Sequence, residues 1–146
     1  MTVSGMEAAK RACEASGWTL SNLALQKILY LAHMIYLGRH GSPLISDRFE
    51  AWDYGPVLPQ VYRRAKAFGS GPIQNVFHSV TDIENTEEAD IINEAVRKLG
   101  DLSPGTLVAA THRDGGAWAR YYQPGLPSNT IPNDAIRTEY ETEWNG

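Results

Sequence analysis

Residues 21–37, SNLALQKILYLAHMIYL, carry apolar side chains on every face of a helix, and this limits what the rest of the chain can be. Leu25, Ile28, Leu29, Ala32, Ile35 and Tyr36 repeat at helical spacing behind a Ser21 or Thr19 cap. Leu31, Met34 and Leu37 extend the apolar surface to the remaining faces. A helix of this kind has to be enclosed on all sides. The longest uncharged apolar run, residues 28–38, is well short of the roughly 20 residues that cross a bilayer, so protein and not lipid must enclose it. The sequence therefore predicts a mainly α fold built around a central buried helix over residues 21–37.

The enclosing elements are short. Residues 3–15 read as a weak helix with a small-residue face of Ala8, Ala9, Ala12 and Ala15, ended by Gly17. Gly38 and Gly41 close the central helix, and residues 38–48 form a loop. Residues 49–62, FEAWDYGPVLPQVY, read as an extended strand, a sharp Gly55-Pro56 turn and a helix start that tolerates Pro59, with Phe49, Ala51 and Val57 facing inward. That helix continues to about residue 68, with Val61, Ala65 and Phe68 on one face and Arg63, Arg64 and Lys66 on the other. Residues 73–81 are a short strand or an irregular segment.

Asn85 with Glu88 has capping-box spacing ahead of Ile91, Ile92, Ala95, Val96 and Leu99, an amphipathic helix ended by Gly100. Ser103-Pro104 opens a further helix to about His112. A Gly/Pro-rich stretch over residues 115–132 holds Trp118, Tyr121 and Tyr122, and Asn133 or Asp134 caps a last helix through Ala135, Ile136 and Tyr140. The expectation is one compact domain over residues 1–146, with a small two- or three-stranded sheet and a short flexible C-terminal tail. Trp144 lies either in that tail or in a contact with a partner.

Charge is unevenly spread. Residues 1–80 hold eight Lys/Arg against five Asp/Glu, a balance of +3, and residues 81–146 hold five against twelve, a balance of −7. Such asymmetry can orient a charged partner. It lacks the dense basic stripe of a nucleic-acid binder, and Arg63, Arg64 and Lys66 read more simply as a solvated helix face. The single Cys13 excludes an internal disulfide, and residues 1–17 hold no apolar stretch of signal-peptide length, so a cytoplasmic location is expected.

Catalytic and ligand-binding signals are weak. His33, His40, His78 and His112 are scattered outside any metal-ligand spacing, and no phosphate-binding glycine loop is present, so neither a metal nor a cofactor is expected. His112 and Asp114 with Ser103 or Thr111 compose a conceivable catalytic set, though no nucleophile elbow accompanies them. The plainer reading places His112 at a helix C-terminus, where partial positive charge is favourable. Cys13 reads as a small packing residue. Trp52, Tyr54, Tyr62, Trp118, Tyr121, Tyr122 and Trp144 exceed what a helical core of this size needs, and such residues are enriched at binding hot spots.

Two blocks resemble the Panacea domain family, the SocA/GepA-like proteins of bacteria and their phages. Leu23, Leu25, Gln26, Lys27, Leu29, Tyr30 and Ala32 fit its LxLQKLLYxA helix, and residues 49–62 fit its FEAWxYGPVxPxVY block. A third element, a Thr-His with a nearby Trp, corresponds to Thr111, His112 and Trp118, separated here by a longer loop over residues 113–117. The resemblance spans roughly residues 16–140. It implies an antitoxin that neutralises a co-encoded protein toxin by direct binding, on a rigid helical scaffold serving toxins of unrelated folds. It also implies an alternative mode, an adaptor that hands the bound toxin to an AAA+ protease such as ClpXP. The interface expected on this reading centres on Trp52, Tyr54, Arg63, Arg64 and Trp118. An enzyme using His112 and Asp114, or an autorepressor binding DNA through Arg63 and Arg64, are the rival expectations.

Overall fold

The computed structural model describes residues 2–126 and 129–144. The tail expected at the C-terminus falls on residues 145–146, and the side chain of Trp144 is also outside what is described. The described chain is mainly α: α1 (Gly5–Ala15), α2 (Asn22–His40), β1 (Glu50–Trp52), β2 (Gly55–Val57), α3 (Pro59–Ala65), α4 (Glu87–Leu99), α5 (Pro104–Thr111), α6 (Ala117–Tyr121), β3 (Asn129–Thr130) and α7 (Asn133–Glu139). A 3-10 turn (Lys66–Phe68) extends α3, and a π-helical turn (Tyr140–Trp144) extends α7.

Helix α2 is the centre, as its all-round apolar sequence requires. The Ser21 side chain accepts from the Ala24 N–H at its start, and α1, α3, α4, α5, α7 and β2 surround it. Leu25, Ile28, Leu29, Leu31, Ala32 and Met34 are completely buried. The helix does not stop at Gly38 but runs to His40, and the left-handed Gly41 terminates it. Gly38 lies within the helix, and the Tyr140 ring occupies the space that a Cβ there would fill. Ala8, Ala9 and Ala12 bring α1 close against its neighbours with Cys13 buried beside them, whereas Ala15 is exposed.

The sheet has the order β2-β1-β3 and is antiparallel throughout, pairing Glu50 with Val57, Ala51 with Pro56, Trp52 with Gly55 and Ala51 with Asn129. The Gly55-Pro56 pair is thus not the turn itself. Asp53 and Tyr54 form the hairpin turn, and Gly55-Pro56-Val57 is the second strand, where proline is admitted because β2 is an edge. Phe49, Ala51 and Val57 face the core as the sequence indicates. Residues 73–81 form no strand, although Ile73 and Phe77 are buried.

Other caps differ from their sequence signals for local reasons. Thr86, not Asn85, caps α4 by accepting from the Ala89 N–H, while Asn85 takes a left-handed φ of 66°. Asn133 cannot serve as the expected cap of α7, because it lies inside the helix and its Oδ1 accepts from His33 Nε2 at 3.0 Å. His33 Nδ1 in turn accepts from the Ile45 N–H, and burial lowers the imidazole pKa, so this ring is neutral with its proton on Nε2. None of the described helices is long and apolar enough to cross a membrane.

Candidate functional site

The β1–β2 hairpin is clamped from two sides. From α2, Gln26 Oε1 accepts from the Leu58 N–H at 2.8 Å, and Lys27 Nζ donates to the Pro56 carbonyl at 3.2 Å. From α6 and the residue after it, Trp118 Nε1 donates to the Trp52 carbonyl at 2.7 Å, and the Tyr122 hydroxyl donates to Asp53 Oδ1 at 2.6 Å. Trp52 itself donates from Nε1 to Glu50 Oε1 and meets Tyr62 edge-on, with centroids 4.9 Å apart. The result is an exposed aromatic on fixed backbone, since the Tyr54 side chain at the turn remains 73% exposed.

Gly55 is where the two clamps meet. Its φ of 117° suits glycine, and a Cβ there would lie 2.8 Å from Lys27 Nζ and 3.0 Å from His112 Nε2. Lys27 is completely buried, and desolvation lowers its pKa to about 7. His112 is also held below the ordinary imidazole value, first by desolvation, with the nearby Lys27 adding to this and the Tyr54 backbone opposing it. Its Nε2 is buried and meets no acceptor or donor at good hydrogen-bond geometry among the described residues, the Tyr54 backbone being a polar neighbour of the ring. The His112 ring stacks on Trp118 at 3.7 Å, and Trp118 stacks on Tyr122 at 4.6 Å.

Beside the hairpin lies a groove of about 480 Å³ between the start of α2 and α3, lined mainly by Leu23, Lys27, Trp52, Tyr54, Tyr62 and Lys66. Trp52 and Trp118 are half-buried: each has one part in the packing and another at the surface. The structure thus brings three of the expected interface residues, Trp52, Tyr54 and Trp118, to one hairpin. Arg63 and Arg64 are exposed but lie elsewhere on α3, around a depression shared with Met6 and Gln60, and Arg64 donates to the Val76 carbonyl at 3.0 Å.

The conceivable catalytic set is not assembled. Ser103 caps the start of α5, and His112 is the C-cap residue at the other end of that helix, although burial disfavours the positive charge that this position would welcome. Thr111 is buried, and its hydroxyl donates back to the Leu107 and Val108 carbonyls. Asp114 is exposed in the loop beyond, while His112 Nε2 faces Gly55 and Lys27. Among the described residues no cluster of three or more His, Cys, Asp or Glu side chains could hold a metal.

Sequence reasoning placed Gln26, Lys27 and Tyr30 in a motif without assigning them work, and it gave Glu139 no role. Glu139 is 2% exposed; its Oε1 accepts from the Tyr30 hydroxyl at 2.9 Å and the Ala117 N–H at 3.1 Å, and Arg113 Nε approaches Oε2 at 3.7 Å. The available signal was polarity itself: Gln26, Lys27 and His33 stand on a helix with no solvated face, so each needs a buried partner.

A family model described as "Antitoxin SocA-like, Panacea domain" matches residues 25–119 of this chain. The protein named antitoxin SocA from Caulobacter vibrioides (strain NA1000 / CB15N) is 38% identical over 109 residues, an alignment covering 68% of this chain and 58% of the relative. The chain therefore spans less than two thirds of that relative's length. No solved structure matches the chain.

Proposed function

The chain belongs to the SocA-like, Panacea-domain antitoxin family, and from that premise we propose that it neutralises a co-encoded protein toxin in the cytoplasm by binding it directly. The observation that carries this reading is the clamped hairpin: Tyr54 is the most exposed large aromatic among the described residues, and the backbone beneath it is fixed by Trp118, Tyr122 and Lys27. An exposed side chain on fixed backbone spares the cost of ordering that backbone on association, which favours tight binding. Trp52 and Trp118 border it with surfaces of the type that dominates interface energies. We assign Trp52, Tyr54 and Trp118 to the centre of the interface and Arg63 and Arg64 to its margin.

Expression of the neighbouring open reading frame with and without this protein, followed by co-purification, tests the proposal. Growth arrest by the neighbour, rescue by this chain, co-elution of the two and loss of both effects in Tyr54→Ala are the expected results. Rescue without a stable complex, accompanied by toxin loss only in cells that retain an AAA+ protease such as ClpXP, would replace direct neutralisation by proteolytic delivery. A harmless neighbour that forms no complex would overturn the assignment.

A further inference from the structure

The groove beside the hairpin is lined by two lysines and one carboxylate. Lys66 is exposed at its rim, and Lys27 is buried below with the Pro56 carbonyl as its one hydrogen-bond acceptor among the described residues. An ammonium has three donors, so Lys27 retains hydrogen-bonding capacity that the fold does not use. His112 Nε2, close by across Gly55, makes no hydrogen bond of good geometry among the described residues. The acid lining the groove is Asp53, and the Tyr122 hydroxyl already engages it. Leu23, Trp52, Val57 and Tyr62 make most of the remaining wall apolar.

We infer that this groove receives a segment of the partner toxin in which a carboxylate stands beside an apolar or aromatic side chain. The carboxylate settles at Lys66, above Lys27, and the apolar group enters between Trp52, Tyr54 and Tyr62. Charge complementarity commits the occupant: no described carboxylate forms an ion pair with either lysine, so an incoming acid meets the exposed Lys66 ammonium unpaired and favours the charged form of Lys27 beneath it. A basic segment would be repelled by Lys66 and a neutral one would leave it unpaired, which supplies discrimination as well as attraction. Fixed walls add to this, because neither the hairpin nor α3 has to be ordered on binding. The inference rests on the antitoxin reading and adds the chemistry of the toxin segment to it.

The test uses the whole chain and the toxin encoded by the neighbouring reading frame as the probe. Calorimetry at pH 8 in two buffers of different ionisation enthalpy reads proton exchange on binding. Free Lys27 is largely deprotonated at that pH because burial lowers its pKa to about 7. A carboxylate brought over it restores the ammonium, so complex formation takes up about one proton. Lys66→Glu, an exposed change that leaves the core untouched, weakens binding about tenfold or more. Lys27→Met abolishes the proton uptake. A wild-type complex formed without proton uptake, or unaffected by Lys66→Glu, overturns the inference and leaves the antitoxin reading in place. Absence of any wild-type complex overturns both. Self-association of the wild type that Tyr54→Ala abolishes would make a second copy the occupant and also overturns the inference.

Discussion

His112 lies flat on Trp118, with ring centroids 3.7 Å apart and planes 6° from parallel. The pair joins the end of α5 to the residue that holds the Trp52 carbonyl, so its role is to position the hairpin. His112→Phe keeps an aromatic face on Trp118 and removes the buried ring nitrogen that faces Gly55 and Lys27. It is expected to alter stability by no more than about 1 kcal/mol and to preserve rescue of growth. His112→Ala is expected to cost about 1–2 kcal/mol by urea denaturation. Loss of rescue in a stably folded His112→Phe variant would point to imidazole chemistry instead.

Gly55→Ala adds a methyl group against Lys27 Nζ and His112 Nε2 at a φ of 117°. Backbone strain and overlap both oppose it, and a loss of about 2–3 kcal/mol is expected. Denaturant midpoints measure the stability, and toxin co-purification measures whether the hairpin still presents Tyr54. A variant as stable as the wild type would mean that the two clamps give way easily.

Stability should depend on pH through Lys27. Its folded pKa is about 7, against about 10.4 for a lysine in an unfolded chain. Between these values the unfolded state binds more protons, so stability rises with pH, on the order of 1 kcal/mol per unit. His33 and His112, both held low chiefly by burial, act in the same direction as pH climbs through the ordinary imidazole range. Above about pH 8.5 the buried Cys13 thiol, pushed up to about 12, opposes the trend, since only the unfolded thiol ionises there. Urea melts from pH 7 to 8.5 should show the rise in the wild type and its absence in Lys27→Met.

Glu139→Ala strands the Tyr30 hydroxyl and the Ala117 N–H inside the protein and takes the carboxylate from beside Arg113. A destabilisation of about 3 kcal/mol is expected. Glu139→Gln keeps an acceptor for either donor and is expected to cost about 1 kcal/mol, the difference between the two variants being read from chemical melts.

Gly38→Ala reverses the usual effect of that change in a helix. A glycine in a helix interior is normally worse than alanine by about 1 kcal/mol, but here a Cβ would overlap the Tyr140 ring. The single variant is expected to lose about 1–3 kcal/mol. In a Tyr140→Ala background the same substitution should become neutral or stabilising, a change of sign that a double-mutant cycle measures directly.

What could be read from the sequence was whatever short-range physics settles. The all-round apolar α2, the Ser21 and Ser103 caps, the proline starts of α3 and α5 and the inward set Phe49, Ala51 and Val57 follow from spacing and backbone chemistry. Helix α6 was hidden because it is five residues long inside a Gly/Pro-rich stretch. Strand β3 was hidden because two polar residues, Asn129 and Thr130, carry no alternation. The hairpin tip was misplaced by two residues, because Gly-Pro is a turn signal locally but an acceptable edge-strand pair once β1 lies beside it. In the candidate site, aromatic composition and the family pattern pointed to Trp52, Tyr54 and Trp118, which the fold brings together at the hairpin. The supports of that site, Lys27 on Pro56 and Glu139 on Tyr30, join residues 29 and 109 positions apart, and no local pattern encodes such pairings.

The carboxylate of Glu139 bears on the order in which the protein can be made. The stretch recognised as the family domain ends at residue 119, yet Tyr30 and Ala117 find their acceptor twenty residues beyond it. During synthesis the central helix therefore leaves the ribosome before the group that satisfies its buried hydroxyl. Until α7 follows, the nascent chain exposes an apolar helix that chaperones and proteases can reach. The toxin binding proposed above would begin only once α7 has docked.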